Sequence, residues 1–155
     1  MEPALDSLPA RARVLLIRLR SLGDCVLTTP ALRLLHGFRP DLQLAVAVEP
    51  RFAGVFNSNP AVAAVLPPEP AAVRSWGAHL ALNLHGGTRS LWLTIASGAP
   101  LRAAFGHFRH LWAYNVRIPR AQQILGEERV VHTAEHLASA MFYLGVPRSP
   151  VPRAE

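Results

Sequence analysis

Between Arg13 and Leu19 the chain reads RVLLIRL, and Ser21-Leu22-Gly23-Asp24 follows directly. The branched apolar residues run together without alternating with polar ones, so neither side of this segment is built to face water. A short run of this kind, closed by turn residues, reads as a strand buried on both faces, which occurs in parallel sheets covered by helices. Parallel strands cannot be joined by hairpins. Each must be followed by a crossover, usually a helix, so this one segment demands an alternating sequence of strands and helices.

The rest of the chain supplies that alternation. From Cys25 to Phe38, Val26, Leu27, Ala31, Leu34 and Leu35 recur near helical spacing, with Pro30 expected to kink the helix or mark its true first turn. Gln43 to Glu49 reads as a second strand, Arg51 to Phe56 as a short helix, and Asn57-Ser58-Asn59-Pro60 as a turn. Ala63 to Leu66 is a third strand, Pro67 to Pro70 a loop, Ala71 to Trp76 a helical turn, and His79 to Leu84 a fourth strand. Gly86-Gly87 breaks the chain, and Thr88 is expected to cap a helix through Ala96. Arg102 to Phe105 is a weaker strand, and His107 to Pro119 reads as irregular. Thr133 to Leu144 is the clearest helix, with Leu137, Met141 and Leu144 on one face and Gly145 as its stop. No repeat period is visible. The expected class is α/β, a Rossmann-like parallel sheet with helices on both faces. Residues 1–12 are expected as a flexible leader, 13–146 as the domain, and 147–155 as a proline-rich linker or tail.

Composition narrows the functional classes. At 155 residues, half of them hydrophobic, the chain is long enough for a self-contained core, yet its apolar stretches are interrupted before the ~20 residues a bilayer span needs. The start lacks a basic region followed by an apolar run, and the single Cys25 excludes an internal disulfide; a soluble, cytoplasmic chain is expected. The net charge of +6 comes from sixteen arginines and no lysine against ten acidic residues. Guanidinium forks suit carboxylates and phosphates, but the arginines are scattered and no aromatic stacking platform accompanies them, so nucleic acid is not expected as a partner.

In an open parallel sheet the ligand crevice lies outside the carboxyl ends of the strands, which puts Ser21 to Asp24 where a site would be built. Asp24 would sit near a helix N-terminus, where free N–H groups favour an ionised carboxylate able to act as a general base. The residues alone leave open a purely structural capping role. The turn lacks G-x-G-x-x-G, and without lysine there is no Walker motif, so a dinucleotide-binding oxidoreductase is disfavoured and no cofactor is expected. His132-Thr133-Ala134-Glu135-His136 fits the H-x-x-E-H zinc pattern, but those sites need a further carboxylate well downstream, and only Glu155 follows; no metal is expected. His79, His85, His107 and His110 are dispersed and read as ordinary structural histidines.

Three segments together, RVLLIRLRSLGDCVLTTPALRLL (Arg13 to Leu35), LNLHGGTRS (Leu82 to Ser90) and HTAEHLASAMFYLGVP (His132 to Pro147), resemble the ADP-heptose:lipopolysaccharide heptosyltransferases of glycosyltransferase family nine. The first is the specific one, similar to the family's opening strand, S-x-G-D turn and T-x-P-A-L helix. The resemblance implies the N-terminal half of a GT-B architecture, in which this domain binds the acceptor and a second domain, absent here, binds the nucleotide-sugar. It implies an inverting, metal-independent transfer with Asp24 as the catalytic base. The acceptor would resemble the anionic inner core of lipopolysaccharide, reached peripherally at the inner membrane and contacted by Ser21, Gly23, Arg18, Arg20, Arg51, Arg89 and His132. This sequence departs from the pattern at Asn83, where an aspartate is common, and at His136, where an arginine is frequent. The chain alone is expected to be inactive and to self-associate through its bare interdomain face; the alternative is a noncatalytic half-domain working with a partner chain.

Overall fold

A computed structural model describes residues 3–106, 108, 110–125 and 133–153. Its centre is a six-stranded sheet of β1 (Arg13–Ile17), β2 (Gln43–Ala47), β3 (Ala64–Leu66), β4 (Leu80–Asn83), β5 (Leu101–Phe105) and β6 (Val116–Ile118). The strand order is β3-β2-β1-β4-β5-β6, and every neighbouring pair is parallel. The helices are α1 (Leu22–Phe38), α2 (Gly54–Asn57), α3 (Pro70–Trp76), α4 (Thr88–Ala96), α5 (Ala121–Leu125) and α6 (Thr133–Leu144). The Rossmann-like α/β expectation holds.

The uninterrupted apolar run of β1 is explained by its surroundings. Val14 and Leu16 enter a core shared with Leu32 and Leu35 of α1 and Leu137 and Met141 of α6. Leu15 and Ile17 point the other way, into a core with Val73 of α3 and Leu93 of α4. All four β1 residues are fully buried, each contributing about 1.5–3 kcal/mol relative to exposure. β1 is the middle of the sheet, in register with β2 through Leu15–Ala45 and with β4 through Leu15–Ala81.

Helix α1 begins earlier than the periodicity suggests, with Ser21 as its N-cap residue, and it passes through Pro30. Proline lacks the N–H that would bond the carbonyl four residues back, which is that of Val26. The Thr29 hydroxyl donates to that carbonyl at 2.8 Å, replacing the missing partner. Pro30 is therefore neither the first turn nor the end of the helix. At α4 the expected cap shifts by one residue: Gly87 occupies the N-cap with φ 96°, and Thr88 is the first helical residue.

Two further expectations are corrected. The segment read as a flexible leader packs onto the domain: Ala4–Ser7 is a 3₁₀ turn, Leu5 is fully buried, and Arg39 donates to the carbonyls of Leu5 at 2.8 Å and Pro9 at 3.3 Å. Asp41 holds that guanidinium from the opposite side, at 2.8 and 2.9 Å. The stretch from His107 to Pro119, read as irregular, contains a 3₁₀ turn at Leu111–Ala113 and the edge strand β6. Among the described residues no helix is long and apolar enough to cross a membrane.

The strand order reverses between β1 and β4. The chain leaves β1 toward β2 on one side, and later returns to begin β4 on the other. The loops after these two strands diverge and open a crevice at their carboxyl ends.

Candidate functional site

Arg18 and Asp24 meet in this crevice. Arg18, one residue past β1, is 8% exposed; its Nη1 donates to the Leu84 carbonyl at 2.6 Å and its Nη2 pairs with Asp24 Oδ2 at 2.8 Å. One guanidinium thus ties the loop after β1 to the loop after β4 and fixes the carboxylate of α1. Removing one member of such a pair is costlier than the pair itself is stabilising, since it leaves a buried charge uncompensated.

Asp24 is the third residue of α1, not its cap. The Cys25 N–H bonds the Ser21 carbonyl at 2.9 Å, which makes Ser21 the capping position, and the Ser21 hydroxyl donates to Asp24 Oδ2 at 3.3 Å. Asp24 therefore does not occupy the cap position that a purely capping role would need. Asp24 keeps 42% of its side chain exposed, so its carboxylate is oriented by Arg18 and Ser21 yet open to a ligand. Gly23 beside it has open space where a Cβ would stand, so packing does not require glycine there. Cys25 is buried beneath this turn, and burial pushes its thiol above the ordinary range.

A cleft of about 210 Å³ lies at the same carboxyl ends of the strands, lined by Leu19, Arg20, Glu49, His85, Gly86, Gly87, Thr88 and Arg89. Its far wall is the loop after β4. Asn83, fully buried, accepts the N–H groups of His85 at 3.0 Å and Gly86 at 3.1 Å, turning the chain sharply. Gly86 sits at φ 79°, and a Cβ there would approach the Phe108 ring to 3.2 Å, so both conformation and space require glycine.

The expected site residues divide accordingly. The structure brings together Ser21, Gly23, Asp24 and Arg18 at the β1 end, and Arg20 and Arg89 around the cleft. Arg18 differs from expectation in being buried and internally committed, so it orients Asp24 instead of lying on the rim. Arg51 and Arg89 are 68% and 57% exposed and both pair with Glu49. His132 lies outside the described residues. His136, part of the zinc-like motif, stacks on Phe105 with ring centroids 4.1 Å apart. Among the described residues no group of three His, Cys, Asp or Glu side chains is placed to hold a metal.

Two cleft residues were missed from sequence. Glu49 ends the β2 run and was read as strand, although the carboxyl-end rule that singled out Asp24 applies equally to it. His85 was set among the dispersed histidines. Its Nδ1 is buried with no partner among the described residues, and burial, reinforced by the Arg18 and Arg20 charges, lowers its pKa below the ordinary 6.5, so the ring is neutral near pH 7.

No family model and no curated protein matches the sequence. Solved structures do match. A glycosyl transferase family 9 protein from Veillonella parvula superposes with a TM-score of 0.77 at 19% identity, over 92% of this chain and 43% of its own. The E. coli heptosyltransferase WaaC with ADP gives 0.72 at 20% identity, over 90% and 50%. E. coli ADP-heptose lps heptosyltransferase II gives 0.69 at 17% identity, over 92% and 46%. The chain spans about half the length of these structures, and it shares with that half the six-stranded, Rossmann-like α/β fold.

Proposed function

We propose that this chain is the acceptor-binding side of a family-nine-like glycosyltransferase, with Asp24 as the general base. The observation that carries the reading is the Arg18–Asp24 pair: an oriented, partly exposed carboxylate at the point where the strand order reverses, on a fold shared with heptosyltransferase structures. In the proposed reaction Asp24 takes the proton of an acceptor hydroxyl as that oxygen bonds to the anomeric carbon of the donor sugar. The sugar–phosphate bond breaks from the opposite face, its electron pair leaves with the nucleoside diphosphate, and the anomeric centre inverts. Arg18 keeps the Asp24 carboxylate aimed, and neutral His85 adds a polar wall without adding positive charge beside it.

The donor is read as ADP-heptose and the acceptor as the anionic inner core of lipopolysaccharide, approached peripherally at the inner membrane. Support comes from the neighbours, whose names state ADP-heptose and lps, and from the arginines around the cleft. Donor binding is assigned to a second domain, because half of each neighbour's length has no counterpart in this chain. Positioning both reactants supplies much of a transferase's rate, so one half alone is expected to be inactive. Exposed Leu22, two residues before the base, belongs to the face that the second domain would cover and through which the isolated chain would self-associate.

The test is transfer of labelled heptose from ADP-heptose to an inner-core acceptor, by this chain alone and supplemented with a matching donor-binding half. Calorimetric titration accompanies it. Acceptor binding by the chain alone supports the reading; micromolar donor binding by the chain alone overturns the assignment of halves.

A further inference from the structure

We propose that Glu49 is a built-in counter-ion for Arg51 and Arg89, two guanidinium groups that a phosphate dianion of the ligand draws away from it. The inference rests on reading the cleft as the acceptor site. Glu49 follows β2, and its side chain is only 16% exposed. Arg51 Nε and Nη2 both approach its Oε2 at 3.1 Å, and Arg89 Nη1 approaches Oε1 at 3.4 Å. The two arginines come from different loops, one after β2 and one in the first turn of α4, and both are largely exposed. The fixed member of this trio is therefore the carboxylate, and the movable members are the two guanidinium groups.

A carboxylate gripped from two sides by arginines presents the arrangement an incoming oxyanion would need. The surroundings favour such a ligand. Arg20 lines the same cleft, and α4 begins there with Gly87 as its cap, a residue with no side chain to bond the first N–H groups. Glu49 sets the threshold for entry. A ligand with a single carboxylate exchanges one monoanion for another and gains little, whereas a phosphate dianion brings more charge and three acceptor oxygens and outcompetes it. Glu49 then selects phosphorylated acceptors over merely carboxylated ones, and its restored pairs with Arg51 and Arg89 assist product release.

The experiment uses the full chain and two probes, inorganic phosphate and acetate, titrated calorimetrically at low ionic strength. The unsubstituted chain is expected to bind phosphate in preference to acetate. Glu49→Gln should tighten phosphate binding about three- to tenfold, the scale of one or two exposed charge contacts, and narrow the gap to acetate. Arg51→Met and Arg89→Met, both at exposed positions, should each weaken phosphate binding in the unsubstituted chain, which keeps the test decisive if Glu49→Gln fails to fold. Phosphate binding that is unchanged or weaker in Glu49→Gln overturns the proposal, as does phosphate binding indifferent to both arginines, or no phosphate binding in any variant. Each of these outcomes leaves the role of Asp24 to the transfer assay, so the two readings fail separately.

Discussion

The Asn83 amide donates to the Tyr114 hydroxyl at 2.7 Å, joining the end of β4 to the connection between β5 and β6 through two buried side chains. The same amide donates to Ser90 Oγ at 3.0 Å, while its carbonyl oxygen takes the His85 and Gly86 N–H groups. Every hydrogen-bonding position of Asn83 is thus used, and the loop that walls the cleft is its product. Tyr114 is held by this bond and by one with Thr94, and burial raises its pKa. Tyr114→Phe should lower stability by about 1–3 kcal/mol, the cost of leaving a buried donor short of a partner. Denaturant unfolding measures the loss; a change within about 0.5 kcal/mol, as at an ordinary surface position, would show that the bond is not needed.

Asp24→Asn should lower turnover of the assembled transferase by about two to four orders of magnitude, the range for a lost general base. The asparagine oxygen can still accept from Arg18 but no longer balances its buried charge, so the fold should survive with a loss of about 1–3 kcal/mol. Normal circular dichroism combined with normal turnover would end the assignment of Asp24 as base.

His85 makes the domain sensitive to acid. Its folded pKa is depressed below the unfolded value near 6.5, so its contribution to stability is fully present above that value. As pH falls below 6.5 the unfolded chain takes up a proton that the folded chain resists, and stability drops until the folded pKa is passed. His85→Gln should flatten this part of the profile of melting temperature against pH. An identical slope in both proteins would place the acid sensitivity elsewhere.

Arg39 is the clamp on the N-terminal segment, and Asp41 keeps the clamp in position. The bond from Arg39, followed by the Arg11 N–H at 2.9 Å, holds the Asp41 carboxyl well below the usual carboxylate range. Arg39→Ala should therefore free residues 3–12, exposing Leu5 and raising amide exchange there first, with a loss of about 1–3 kcal/mol. Unaltered exchange in this segment would show that the burial of Leu5 alone secures it.

The sheet was legible because its inner strands carry the signal themselves. RVLLI, QLAVA and LALN are continuous apolar runs, and only a strand covered on both sides uses them. Val116-Arg117-Ile118 was missed for the opposite reason: it is a three-residue edge strand whose exposed arginine interrupts the pattern. The burial of Leu5 has no local signature either, since it depends on a guanidinium thirty-four residues away. Within the cleft, Asp24 was readable because one strand and one turn define its position. Glu49 and His85 acquire their significance only when loops after different strands are brought together, and the burial of Arg18 follows from the Leu84 carbonyl, in a loop that the sequence alone does not place beside it.

The turn that ends α6 bears on how this domain could be rewired. A Cβ built on Gly145 would stand 3.2 Å from that of Pro3 and 3.4 Å from that of Leu5, so the segment entering the domain and the segment leaving its last helix touch. A short linker joining these two touching segments would let the domain be reopened elsewhere, as circular permutation requires. The surface loop between β3 and α3, remote from the Arg18–Asp24 pair in sequence and attached to the outermost strand, is a natural place for new ends. A permuted chain opened there would keep β1, β4 and the crevice between them intact, and could be fused to another protein without threading the linker past the cleft.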